Sequence, residues 1–329
     1  MSDRQKQELE QKLEQDRWWP RPPGTVSASL AVRGDEAPYQ MRGSWAKWNR
    51  AVAHYRELRR TAPKWLRESW TIDCDFDADL GAHVATFRTR DDELERLRVG
   101  TIAGDCFHNL RSALDFVMWE LIHLQWRRAD TTPPTDEKKL ASLPNFPLAR
   151  NGETREQFES RVRKLPISKR ALERIVEVHD FAQNGARPYL RGLRVLSNND
   201  KHRVPLVATA AVDLRETAFV VGSRDGEATT EHLLSVGEPF DDGTRFAIIR
   251  VDDAPRPEAR VSVAKQPPSV LQLKYADDSD TIDIWTVTGV VLVVQDVLDG
   301  LQNLFDQRRH DRRRASERHR RHVRPPLPA

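Results

Sequence analysis

Cysteine is almost missing from this chain: Cys74 and Cys106 are the two among 329 residues, and neither sits in a CxxC or comparable cluster. That leaves no disulfide framework and no cysteine-built zinc site, and it fits a reducing cytosol. Long apolar runs are missing too. The nearest, Val290 to Val294, is interrupted by Gln295 and Asp296, whereas a membrane-spanning helix needs roughly 18 apolar residues in a row. The opening residues, charged from Asp3 through Arg17, have no apolar centre of the kind a signal peptide carries. A cytoplasmic protein without membrane association is the expectation. Absent as well are a Walker A loop, GxGxxG, HExxH and GxSxG, so the phosphate-binding or nucleophile elements of NTPases, dinucleotide enzymes, zincins and α/β-hydrolases are lacking. No cofactor is expected.

What is present begins with charge. Charged residues make up 31% of the chain, yet nine Trp and eleven Phe supply large apolar groups enough for a packed core. The net charge of +3 hides an uneven distribution: from Gln307 onward nine Arg face only Asp311 and Glu317, a net of +7 that leaves −4 for the rest. An arm of this kind, with Arg312, Arg313 and Arg314 at its centre, could neutralise phosphates on RNA or another nucleic acid through residues 307–324. A solvated helix end is the plainer alternative.

Hydrophobic periodicity predicts an α+β fold: a helical bundle with a β-hairpin, then a mainly antiparallel β region and a long C-terminal helix. Residues 1–24 read as a charged arm and a proline-rich linker, with Pro20, Pro22 and Pro23 breaking any helix before a weak edge strand near 26–32. The helical region spans 25–203. Within it Trp45, Trp48, Val52 and Tyr55 share one face of a helix over 44–60, and that spacing suits a core better than a base-stacking platform. Alternation in 70–76 and turn chemistry at Asp79-Leu80-Gly81 predict a hairpin, which places Cys74 among inward-facing residues as a structural thiol. A helix over 98–126, a proline-punctuated loop over 127–150 and shorter helices at 154–164, 168–181 and 188–197 follow. Short Val-, Ile- and Thr-rich segments then predict strands over 204–287, with Gly222 to Gly226 as a hairpin turn. The chain returns to helix over 288–306 before the arm at 307–329.

The helix over 98–126 has two unlike faces. At about 100° per residue, Ala103, Leu110, Ala113, Leu114, Val117 and Leu121 fall on one side, while Asp105, His108, Asn109, Arg111, Ser112 and Asp115 gather on the other. The polar side holds no Lys and a set of groups able to hydrogen-bond one another, so it is read either as a catalytic surface or as a satisfied structural network. A second polar stretch, Asn198-Asn199-Asp200-Lys201-His202-Arg203, lies between apolar segments. Asn and Asp suit a helix-to-strand connection. Cations on both sides of His202 would oppose its protonation and keep a neutral base available near pH 7.

These two stretches, with Phe146-Pro147 between them, resemble a family of uncharacterised bacterial and phage proteins over roughly residues 40–305. More remotely, the helical part resembles the HEPN superfamily of helical ribonucleases and nucleotide-binding modules. In that superfamily four to six residues separate an arginine from a following histidine, often as Arg-Asn-x-x-x-His, and the pair acts on the RNA backbone without metal. Asn198-x-x-x-His202 matches the second half of the motif, with Ser197 at the arginine position. The resemblance implies a metal-independent ribonuclease. His202 would be its general base, Arg111 or Arg203 would stabilise the phosphate, and Asp105, His108, Asp115 and Asp200 would orient them, with Asn109, Asn198, Asn199 and Lys201 binding. Two other readings stay open. One is a metal-dependent hydrolase with Asp105, His108, Asp115 and His202 as ligands. The other is a non-enzymatic scaffold or nucleic-acid-binding protein in which the polar helix face is architectural and the arginine arm makes the contacts.

Overall fold

The computed structural model describes residues 37–90, 93–128, 145–150, 152–179, 186–201, 206–212, 217–222, 228–234, 240–251, 257–267, 269–275 and 281–322, with the backbone alone in 186–188, 191, 198–201, 274–275, 281–283, 285 and 306–322. The N-terminal arm and linker, the weak strand near 26–32, most of the 127–150 loop, the turn at 223–226, and His202 and Arg203 lie outside those residues. The fold is α+β, as the periodicity predicts. Helices α1 (Arg42–Glu68), α2 (Glu93–Arg128), α3 (Arg155–Val162), α4 (Lys169–Glu177), α5 (Ala186–Lys201) and α6 (Ile284–His322) are joined by strands β1 (Trp70–Asp77), β2 (Ala82–Thr89), β3 (Leu206–Val212), β4 (Ala218–Val221), β5 (Ala228–His232), β6 (Arg245–Val251), β7 (Val261–Lys265), β8 (Ser269–Tyr275) and β9 (Thr281–Asp283). Among the described residues all strand pairings are antiparallel and fall into three sheets, ordered β1-β2-β6-β5, β3-β8-β9 and β4-β7.

The chain forms two compact units, and α1, α2 and α6 each run through a boundary between them. The first holds residues 56–103 and 206–285, and therefore all three sheets. Its β1–β2 hairpin is set by Asp77, whose carboxylate accepts the amides of Asp79 and Leu80, and by Gly81 at φ 59°. Only a residue without Cβ takes that conformation at little cost. Arg245 on β6 pairs with the same Asp77. Behind the strands Phe87 stacks on Phe240 and Phe246 at 3.9 and 4.2 Å between ring centroids, and Trp70 meets Phe87 edge-on at 5.4 Å. Cys74 is half-buried on β1. Burial, and next the flanking Asp75 and Asp73, push its thiol up to about 11.

The second unit holds residues 37–55, 104–201 and 286–322 and is helical. Its organising element is α6, whose Val290, Val294, Val297, Leu298, Leu301 and Phe305 are buried. The aromatic face predicted for α1 lies against it: the Trp45 indole donates to Gln302 Oε1 at 2.7 Å, Trp48 donates to the Val291 carbonyl at 3.3 Å, and Tyr55 bonds Thr288 at 2.9 Å. As α1 advances, its partners step backward along α6, so the two helices are antiparallel. Trp45 and Trp48 are fully buried and meet edge-to-face at 5.6 Å, which makes them core.

Candidate functional site

Helix α2 splits its faces as its spacing requires. Ala103, Leu110, Ala113, Leu114, Val117 and Leu121 are buried, and Cys106 and Phe107 widen the core side. On the opposite side Asp105 and His108 are exposed. The Asn109 amide turns back on its own helix, donating to the Asp105 carbonyl at 2.8 Å. That bond caps no ligand; it closes a local ring.

Arg111 and Asp115, one helical turn apart, do something different. Arg111 Nη2 lies 3.0 Å from Asp115 Oδ1, its Nε donates to Oδ2 at 3.2 Å, and Nη2 also donates to the Phe146 carbonyl at 2.9 Å. The Phe146 N–H donates to Asp115 Oδ1 at 2.9 Å. Both polar groups of one loop residue are thus held by an ion pair on α2. Phe146 belongs to residues 145–150, a stretch of irregular backbone whose Phe146, Pro147, Leu148 and Ala149 are nonetheless buried. Buried backbone outside helix or sheet must find partners elsewhere, and charged side chains are strong ones.

The same solution recurs a few residues on. Arg161 of α3 donates to both carboxylate oxygens of Glu153, at 2.9 and 2.8 Å, and to the Leu148 carbonyl at 3.0 Å, while the Arg150 N–H donates to Glu153 Oε2 at 2.8 Å. The Arg161 guanidinium, followed by the Arg150 amide, holds the Glu153 carboxyl below its ordinary range. The loop closes on His179, which is buried against Phe158 at 4.3 Å and whose Nδ1 donates to the Ile175 carbonyl at 2.7 Å. Glu153 and Arg161 carry no periodic signal, because both act on backbone in an irregular loop. The proline-punctuated sequence Pro144-Asn145-Phe146-Pro147 was the visible hint.

The remaining candidates lie at the end of α5. Asn198, Asn199, Asp200 and Lys201 occupy its last turn as backbone, and His202 and Arg203 lie outside the described residues. Among the described residues no cluster of three or more His, Cys, Asp or Glu is arranged to hold a metal ion. Arg312, Arg313 and Arg314 fall on the helical backbone of α6, and no helix of the described residues is long and apolar enough to cross a membrane. Comparison of the chain with protein-family models, curated proteins and solved structures gives no match in any of the three.

Proposed function

We propose that this chain is a nucleic-acid-binding protein whose polar α2 face is architectural and whose arginine-rich arm makes the phosphate contacts. The observation that carries the reading is the engagement of Arg111. A guanidinium meant for a scissile phosphate has to present its donors to substrate, whereas Arg111 directs its Nε and Nη2 to Asp115 and to the Phe146 carbonyl. Asp115 is equally committed, accepting from Arg111 and from the Phe146 amide. As a metal ligand it would have to abandon both.

The arm's support comes from its sequence and from the helix that carries it. Helix α6 is unbroken from Ile284 to His322, so the core stretch ending at Phe305 continues directly into the basic segment. At about 1.5 Å per residue, the part of the helix beyond Phe305 extends for about 25 Å. Arginines stand four apart at 308 and 312, 309 and 313, and 314 and 318, an arrangement in which like charges repel along a helix. A polyanion would relieve that repulsion. Binding of this kind is sequence-independent and salt-sensitive.

The test is fluorescence anisotropy with labelled single-stranded RNA and duplex DNA, using the full chain and a chain lacking 307–329. The reading predicts similar affinity for both nucleic acids and a loss of about 100-fold or more on deletion at low salt. Equal binding by the two chains would remove the role of the arm. RNA cleavage in EDTA that disappears in His202→Ala would replace the reading with the ribonuclease implied by the HEPN resemblance, with Arg203 rather than Arg111 stabilising the phosphate.

A further inference from the structure

The sheet-bearing unit contains a cleft unrelated to the α2 face. It opens between the end of α1, the outer ends of the β1–β2 hairpin, the first turn of α2, strand β3 and the turn before β6, and its volume is about 400 Å³. That lies within the range of small-molecule sites, about 300–1,000 Å³. Every residue around it belongs to the same compact unit.

Its chemistry is unusual in bringing together charged groups that do not pair with one another. Arg90 and Arg96 line it together with Asp241 and Asp242, yet among the described residues none of the four is in an ion pair with another. Arg96 is anchored through Nε, which donates to the Ala208 carbonyl at 3.3 Å, and its terminal nitrogens keep their donors. Asp242 Oδ1 accepts the Thr89 amide at 2.9 Å, while the neighbouring Asp241 is engaged through its backbone, its N–H donating to Thr244 Oγ1 at 3.1 Å and its carbonyl accepting the Thr244 N–H at 3.2 Å. Two aromatic walls add a second, independent observation. The indoles of Trp65 and Trp70 are 8% and 3% exposed, both line the cleft, and neither Nε1–H has an acceptor among the described residues. Those donors are sealed from solvent, so what the two residues offer the cleft is apolar ring surface.

We propose that this cleft binds a free zwitterionic α-amino acid with a large apolar side chain. Its carboxylate would meet the guanidinium groups, its ammonium would meet Asp241, and its side chain would lie along Trp65, Trp70 and Phe240. Among the described residues of the lining, two cations balance two anions. A nucleotide phosphate would be drawn to the arginines but opposed by the aspartates, so the charge balance favours a zwitterion over a polyanion.

Isothermal titration calorimetry on the full chain tests this with L-phenylalanine, L-phenylalaninamide, 3-phenylpropionate and AMP as probes. L-Phenylalanine should bind saturably, and the amide and the propionate, each missing one charge, should bind about tenfold or more weakly. Asp241→Asn, at an exposed position with no side-chain bond among the described residues, should keep the circular dichroism spectrum, weaken L-phenylalanine by a similar factor and leave 3-phenylpropionate unchanged. Arg90→Gln should do the converse, weakening both carboxylates and sparing the amide. No saturable binding of L-phenylalanine at millimolar concentration, tighter binding of AMP, or an Asp241→Asn chain with unchanged affinity would each overturn the proposal.

Discussion

Replacing Arg111 by alanine would strip the Asp115 carboxylate of its main partner while leaving it beside the Phe146 amide. The pair is mostly covered, its side chains 14% and 27% exposed, so solvent screens it only in part. A loss of about 2 kcal/mol is expected in urea unfolding, set by charge-assisted hydrogen bonds rather than by a deeply buried charge. Asp115→Ala should cost about the same, and the double variant little more than either, because one network is removed once. Additive losses would contradict the clamp. Cys74 gives a prediction in pH. Its thiol ionises near 9.0 in an unfolded chain and near 11 here, because burial and then Asp75 and Asp73 disfavour the thiolate. The folded value is the higher one, so the contribution to stability is intact below pH 9 and is lost as pH rises toward 11. Native protein should react with iodoacetamide only slowly at pH 8 and roughly tenfold faster for each unit above it, as thiolate accumulates. Rapid, complete modification at pH 8 would contradict the burial.

Helix and strand faces were largely legible in the sequence; partners were not. The spacing of Trp45, Trp48, Val52 and Tyr55 foretold a buried α1 face, and alternation with Asp79-Leu80-Gly81 foretold the hairpin. Several boundaries differ, among them the start of α2 at Glu93 and the end of α5 at Lys201. Helix α1 continues past residue 60 and through Pro63 to Glu68, because Ala62, Trp65 and Leu66 bury the same side of the next turns and that packing offsets the missing proline donor. Helix α6 begins at Ile284, leaving β9 only three residues, since Ile284 and Val287 are buried at helical rather than alternating spacing. Periodicity says which side of an element is apolar, never what lies against it. The pairing of β2 with β6 and the grip of Arg111 on Phe146, 35 residues away, are long-range facts of that kind. Close approach of α2 to β3 is another, and Gly100 reports it: a Cβ there would stand 1.8 Å from the Leu206 carbonyl oxygen. In an ordinary helix interior Gly→Ala gains about 1 kcal/mol. Here Gly100→Ala should instead lower the thermal midpoint by several degrees, since backbone must move to admit a methyl group; an unchanged or raised midpoint would deny the contact.

Across the whole molecule, charge is divided as sharply as structure. The arm from Gln307 carries +7 and everything before it −4, so a polyanion is attracted to one end and repelled elsewhere. The most direct test is the salt dependence of duplex DNA binding by the full chain, plotted as log K against log salt. Six or so neutralised phosphates predict a slope of about −5, shared by unrelated sequences and lost when residues 307–329 are removed. A slope near zero, or a steep one that survives the deletion, would contradict it.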